Sequence, residues 1–137
     1  SPSGPDPVAL MLAAELRRDD VGFLPGSGAE VADDLWLARA AAMIAARRHG
    51  RSGPEGSRDL THVGLLIGSG GVLRHSDPRS TAAVLQAVLS DVAGGWRLPE
   101  QAHAVVDEQY LLAPIGLLAL TGRESQARSL AGGLLGP

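Results

Sequence analysis

A helix-rich α/β domain with a small parallel or mixed sheet is the fold class this sequence predicts, and three observations predict it. Segments with helix-start signals and helical apolar spacing open the chain. Two short apolar stretches, "THVGLLIG" and "AHAVVDE", read as strands, and each is followed by a helical segment. Strands that alternate with helices imply parallel pairing through right-handed crossovers. Two strands are few for a free-standing sheet, so further strands are expected in segments that read otherwise or outside this chain.

The elements follow in order. Asp6 is a good N-cap with Pro7 at the first helical position, and "VALMLAAELRR" carries that helix to about Arg18. "DDVGFLPGSG" is a loop. Ser27 and Glu30 then have capping-box spacing, and a long helix runs from there to a glycine stop at Gly50. Its apolar positions Val31, Leu35, Ala38 and Ala42 make one stripe and Leu37, Ala41 and Ile44 a second, an arc wide enough for packing on two sides. "GRSGPEGSRD" reads as a hairpin-like loop. "THVGLLIG" is a continuous apolar run between turn signals, the mark of a buried parallel strand. The Gly-Ser-Gly-Gly turn of residues 68–71 follows it. Asp77-Pro78 opens another helix, which runs toward Gly94-Gly95, and "AHAVVDE" is the second strand. "YLLAPIGLLALT" is a helix with Pro114 in or near its first turn. A last helix is expected from Glu124 to Leu130, fraying into "AGGLLGP".

Length and composition narrow the function classes. The chain has 137 residues, enough for one domain with a real core, and residues 1–137 read as a single domain. It has no Cys, which removes disulfides, thiolate catalysis and Cys-ligated zinc. All 12 basic residues are Arg, so a P-loop lysine and Schiff-base chemistry are excluded as well. A net charge of −3 argues against a nucleic-acid partner. No apolar run reaches the ~20 residues of a membrane span, and the opening residues carry no secretory-type leader. The expectation is a soluble, cytoplasmic protein.

The chemistry centres on "IGSGGVLRH". A strand, then glycines, then a helix N-terminus is a recipe for holding an anion, because N–H groups face outward and no Cβ blocks approach. The following helix is expected only at Asp77 or Pro78, some way past the glycines, which weakens its dipole. The spacing also fails G-x-G-x-x-G. The alternative is a tight turn in which Gly70 and Gly71 supply positive φ. His49, His62, His75 and His103 show no metal-ligand spacing, and His49 reads as a cation at a helix C-terminus. Ser27, Ser52 and Ser69 all miss the nucleophile-elbow pattern. Asp33-Asp34 reads as solvated face. Asp107 and Glu108, at the ligand edge of the second strand, are candidates for a magnesium or water-orienting role, with N-capping of the next helix the favoured reading.

"SRDLTHVGLLIGSGGVLRH", preceded by "IAARRHG" and followed by "DEQYLLAPIGLLAL", resembles the C-terminal part of the MutL/GlmL family, the accessory proteins of adenosylcobalamin-dependent glutamate mutase. The resemblance implies an actin/hexokinase-like (ribonuclease H-like) ATPase fold that binds ATP or ADP with Mg2+. It implies a nucleotide site at Gly68, Ser69, Gly70, Gly71 and Arg74, with Gly70 and Gly71 admitting the backbone to the nucleotide and Arg74 stacking on adenine. Val72-Leu73 stand where many actin-like relatives carry Ser-Thr, a departure that takes the side-chain hydroxyls at these two positions out of the implied site. The helix containing Gly116 would pack behind the site. The implied partners are a B12-dependent mutase subunit and an N-terminal lobe outside this chain, in which most catalytic groups would lie. On that reading the chain is a C-terminal, nucleotide-binding fragment, inactive alone. The competing expectation is a non-enzymatic α/β interaction module whose glycine turn is purely structural.

Overall fold

The computed structural model describes residues 5–53 and 56–135. Over these the chain forms helices α1 (Pro7–Asp19), α2 (Gly28–His49), α3 (Gly71–His75), α4 (Pro78–Leu89), α5 (Leu112–Leu120) and α6 (Glu124–Leu135). Its strands are β1 (Ser52–Gly53), β2 (Gly56–Ser57), β3 (Leu65–Gly68) and β4 (His103–Val106). β3 and β4 pair in parallel, Leu65 opposite His103 and Gly68 opposite Val106. β1 and β2 pair antiparallel, Ser52 opposite Ser57 and Gly53 opposite Gly56, within the segment read as a hairpin-like loop. The helix-rich α/β reading with a small parallel sheet therefore holds.

The predicted caps form. Asp6 accepts the Val8 N–H at 3.2 Å. Ser27 Oγ accepts the Glu30 N–H at 3.3 Å, and the Glu30 carboxylate accepts from Ser27 Oγ at 3.0 Å and from the Gly26 N–H at 2.9 Å. Asp77 accepts the Arg79 and Ser80 N–H groups at 3.0 Å each, which opens α4.

Three boundaries differ from the sequence reading, each for a physical reason. β3 starts at Leu65 rather than Thr61, because Asp59 accepts from both the N–H and the hydroxyl of Thr61 and folds that segment into a turn. β3 is also half-buried rather than buried along most of its length. α4 stops at Leu89: Ser90 bonds back to the Gln86 carbonyl at 2.7 Å, and Arg47 grips the next residue, Asp91. α6 continues through Gly132-Gly133 to Leu135, since packing on α5 overrides the poor helix propensity of glycine. The unexpected element is α3, which begins at Gly71 directly after the turn.

The buried apolar side chains concentrate on α4 (Val84, Leu85, Ala87, Val88 and Leu89), with Leu98 and Ala102 from the following loop. α2 lies against α4 and also touches α1 and α3. None of its residues is buried, and Ile44 is 47% exposed, so the second apolar stripe of α2 lacks a full cover. Asp34 is not the solvated side chain expected: it binds Arg17 at 2.7 Å and ties α1 to α2, while Arg17 also lies 4.4 Å from the Phe23 ring centroid. At the other end of α2, Arg47 donates twice to the Asp91 carboxylate, Nη2 to Oδ1 at 2.7 Å.

Four carboxylates, the capping Glu30 and Asp77 and the ion-paired Asp59 and Asp91, are held below their ordinary pKa values and contribute to acid sensitivity. The Arg47 guanidinium holds the Asp91 pKa below its ordinary 3.8. Arg97, aided by the Thr61 hydroxyl and N–H, holds Asp59 well below the same value. A folded-state pKa lower than the unfolded one lends stability that is present above the unfolded value and lost as pH falls through the folded one. Thermal melts are therefore expected to be level from about pH 5 upward and to fall progressively below about pH 4. Asp91→Asn should flatten part of that acid limb, and an unchanged limb would remove Asp91 as its source.

Candidate functional site

The parallel pair brings two loops together at the C-terminal edge of the sheet, where open α/β folds gather ligands. The first is the turn of residues 68–71, which leads from β3 into α3. The second runs from Asp107 to Tyr110 and leads from β4 into α5. A bond from the Asp107 N–H to the Gly68 carbonyl, 2.8 Å, joins them.

In the first loop each glycine has its own reason. Gly68 is buried, and a Cβ on it would meet Leu73 Cδ1 at 2.8 Å and Leu85 Cδ2 at 2.9 Å, so the strand end needs glycine to pack on α3 and α4. Gly70 has φ 121 and ψ 163, a region essentially reserved for glycine, and serves as N-cap of α3. Gly71 is different from the expectation: it lies inside α3 with ordinary helical φ, and a Cβ there would meet nothing within 4 Å. No side chain caps α3, so the N–H groups of its first turn have no capping partner from the N-cap residue. The expected gap between the glycines and the next helix is thus replaced by a direct entry.

Gly68, Ser69, Gly70 and Gly71 together line one groove of about 770 Å³ between α2, β3 and α4. Its walls are largely apolar, lined by Ala38 and Ala42 from α2 and by Leu66 and Val72, and His49 lines it as well. Val72 and Leu73 contribute to that apolar wall. Arg74 is not part of the lining. Its guanidinium carbon sits 4.5 Å from the centroid of the Tyr110 ring, toward the second loop.

That second loop is built around Asp107, which is 1% exposed. Its carboxylate accepts the Leu111 N–H at 2.7 Å and the Leu112 N–H at 3.1 Å, so it caps α5, the reading favoured for it. Glu108 is exposed. Tyr110 takes φ 53, the one positive φ outside glycine among the described residues, at a cost on the order of 1–3 kcal/mol. Nothing in its residue type signals that conformation, and sequence reasoning passed over it. Gly116, expected to pack behind the site, is exposed on α5 with nothing within 4 Å of its Cβ position; α5 packs on α6 instead.

Among the described residues no group of three or more His, Asp or Glu side chains is placed to hold a metal ion. No helix among them is long and apolar enough to cross a membrane.

"Protein MutL" of Clostridium tetanomorphum is 30% identical over 124 residues, a match that takes in 82% of this chain and 26% of the relative. The chain thus spans about a quarter of the length of that relative. No solved structure matches the chain. The family model described as MutL protein matches residues 6–132, which include both loops and nearly every element. The chain belongs to the MutL protein family.

Proposed function

We propose that this chain is the C-terminal nucleotide-binding lobe of a longer actin/hexokinase-like ATPase that serves as accessory protein to a glutamate mutase-type, adenosylcobalamin-dependent enzyme. The observation that carries the reading is the turn of residues 68–71. It combines a glycine-only conformation at Gly70, an unobstructed Cβ position at Gly71 and an uncapped helix start, all at the ligand edge of a parallel strand pair. Those features fit a phosphate group of ATP or ADP. Magnesium would arrive on the phosphates, since the described residues offer it no cluster of their own. In such a lobe Gly68 shapes the strand end, Ser69 to Gly71 approach the nucleotide, and Arg74 offers its guanidinium plane to the base. ATP bound between this lobe and an N-terminal one would couple turnover to a lobe movement that releases damaged cofactor from the mutase.

The test is a calorimetric titration with Mg-ATP of the natural polypeptide that carries these residues. A dissociation constant of about millimolar or tighter, some −4 kcal/mol, is expected. Gly70→Val is a poor probe of the turn, because its backbone excludes a β-branched residue whatever the turn does. Gly71→Val is the clean one: space is open and the backbone ordinary. It is expected to weaken ATP binding at least about tenfold, roughly 1.4 kcal/mol, while leaving the melting midpoint nearly unchanged. Unaltered ATP affinity in Gly71→Val would reduce the turn to chain reversal.

A second reading, a non-enzymatic interaction module, draws on one specific observation. Val8, Met11, Leu12 and Leu16 form a helical-spaced apolar face on α1 that is largely exposed. Nucleotide dependence separates the two readings, because the module predicts no ATP binding in any variant.

A further inference from the structure

Tyr110 presents a coincidence of three features. Its backbone is left-handed, although it is not glycine. The residue is 40% exposed, so burial in a core is not what the conformation serves. Its ring lies under the guanidinium of Arg74, 4.5 Å from centroid to Cζ. The turn that aims it is firmly held: the Tyr110 N–H reaches the Asp107 carbonyl at 3.5 Å, and the buried Asp107 carboxylate binds the two N–H groups that follow. Arg74 is held from its own side by α3, its N–H donating to the Gly70 carbonyl at 3.0 Å. Arg74 is exposed, and among the described residues no carboxylate forms an ion pair with it.

A guanidinium is flat and has two faces. Tyr110 lies on one side of it, and among the described residues no carboxylate pairs with the charge. We propose that Tyr110 is the back wall of a base-stacking subsite, holding the Arg74 guanidinium flat so that its opposite face takes a purine base in a base–Arg74–Tyr110 stack. The inference rests on the nucleotide reading above and adds a residue and a preference to it. Tyr110 is a positioning residue that acts through Arg74. Stacking reads ring area rather than hydrogen-bonding edges, so the subsite favours purine over pyrimidine nucleotides and contributes nothing to a base-free polyphosphate.

The test measures dissociation constants for Mg-ATP, Mg-CTP and Mg-tripolyphosphate on the natural polypeptide, with Tyr110→Phe, Tyr110→Leu, Tyr110→Gly and Arg74→Ala. Tyr110→Phe keeps the ring and is expected to bind as wild type. Tyr110→Leu is expected to lose about tenfold in Mg-ATP affinity, less for Mg-CTP, and nothing for Mg-tripolyphosphate. Tyr110→Gly removes the ring and also relieves the left-handed backbone. It should melt no lower than Tyr110→Leu and show the same ATP loss, which separates stacking from folding. Equal loss of ATP and tripolyphosphate in Tyr110→Leu would make the ring structural and overturn the proposal. ATP affinity kept in both ring-less variants but lost in Arg74→Ala would overturn it while the nucleotide reading stands. A wild-type polypeptide that binds no Mg-ATP would bring down both.

Discussion

Asp107→Ala is expected to lower stability by roughly 2–4 kcal/mol, because it strands two α5 N–H groups that now bond to a buried carboxylate. Hydrogen bonds to charged groups are each worth about 1.5–3 kcal/mol net, and the figure is held below their sum because water can enter the gap. Asp107→Asn keeps one acceptor oxygen and should recover about half of the loss. Urea unfolding, read as a midpoint shift at constant slope, measures both. The substitution also has a local signature. The turn it caps aims Tyr110 at Arg74, so on the proposed nucleotide-binding reading the ATP affinity of Asp107→Ala should fall with that of the Tyr110 variants. A loss under about 1 kcal/mol would show that solvent satisfies the start of α5 as well as Asp107 does.

Leu98→Ala carries the other large effect. Leu98 is 0% exposed and its Cδ2 lies 3.1 Å from the Cβ position of Gly50, where the end of α2 meets the loop after α4. Truncation of such a side chain costs about 2–5 kcal/mol, the lost transfer energy plus the cavity left behind. Few apolar residues among those described are buried, most of them on α4, so few neighbours exist to collapse into the hole. Domains of this size are stable by about 5–15 kcal/mol, and this loss is a large share of it. The measurement is again the urea midpoint, with Leu98→Met as the volume-conserving control expected to cost under about 1.5 kcal/mol. A small loss in Leu98→Ala would mean that the loop closes over the vacated space.

Why so little of the chain is buried follows from its surface. α2 has no buried residue and α1 presents Val8, Met11 and Leu12 to solvent. The groove beside the glycine turn is walled by alanines and leucines rather than filled. On the proposed reading these are faces that an N-terminal lobe of the same polypeptide would cover.

What sequence alone determined here is local. Asp6-Pro7, Ser27 with Glu30, and Asp77-Pro78 start helices because the Asp and Ser side chains accept the first N–H groups and the prolines preset φ while lacking an N–H to satisfy, with no help from the rest of the fold. The parallel pair was legible for a similar reason, since the apolar runs and their flanking turns lie within each segment. The family was legible too, through the wording of segments around the glycine turn and the start of α5. The tertiary structure decided what depends on residues far apart. Gly68 is glycine because Leu73 and Leu85 crowd it, α4 ends where Arg47 captures Asp91, and α6 runs on through two glycines because α5 supports it. Arg74 turns away from the glycine groove because Tyr110, 36 positions later, offers its ring. A contact of that kind leaves no mark on either residue's neighbours in sequence, which is why the glycine turn could be read from the chain and its aromatic companion could not.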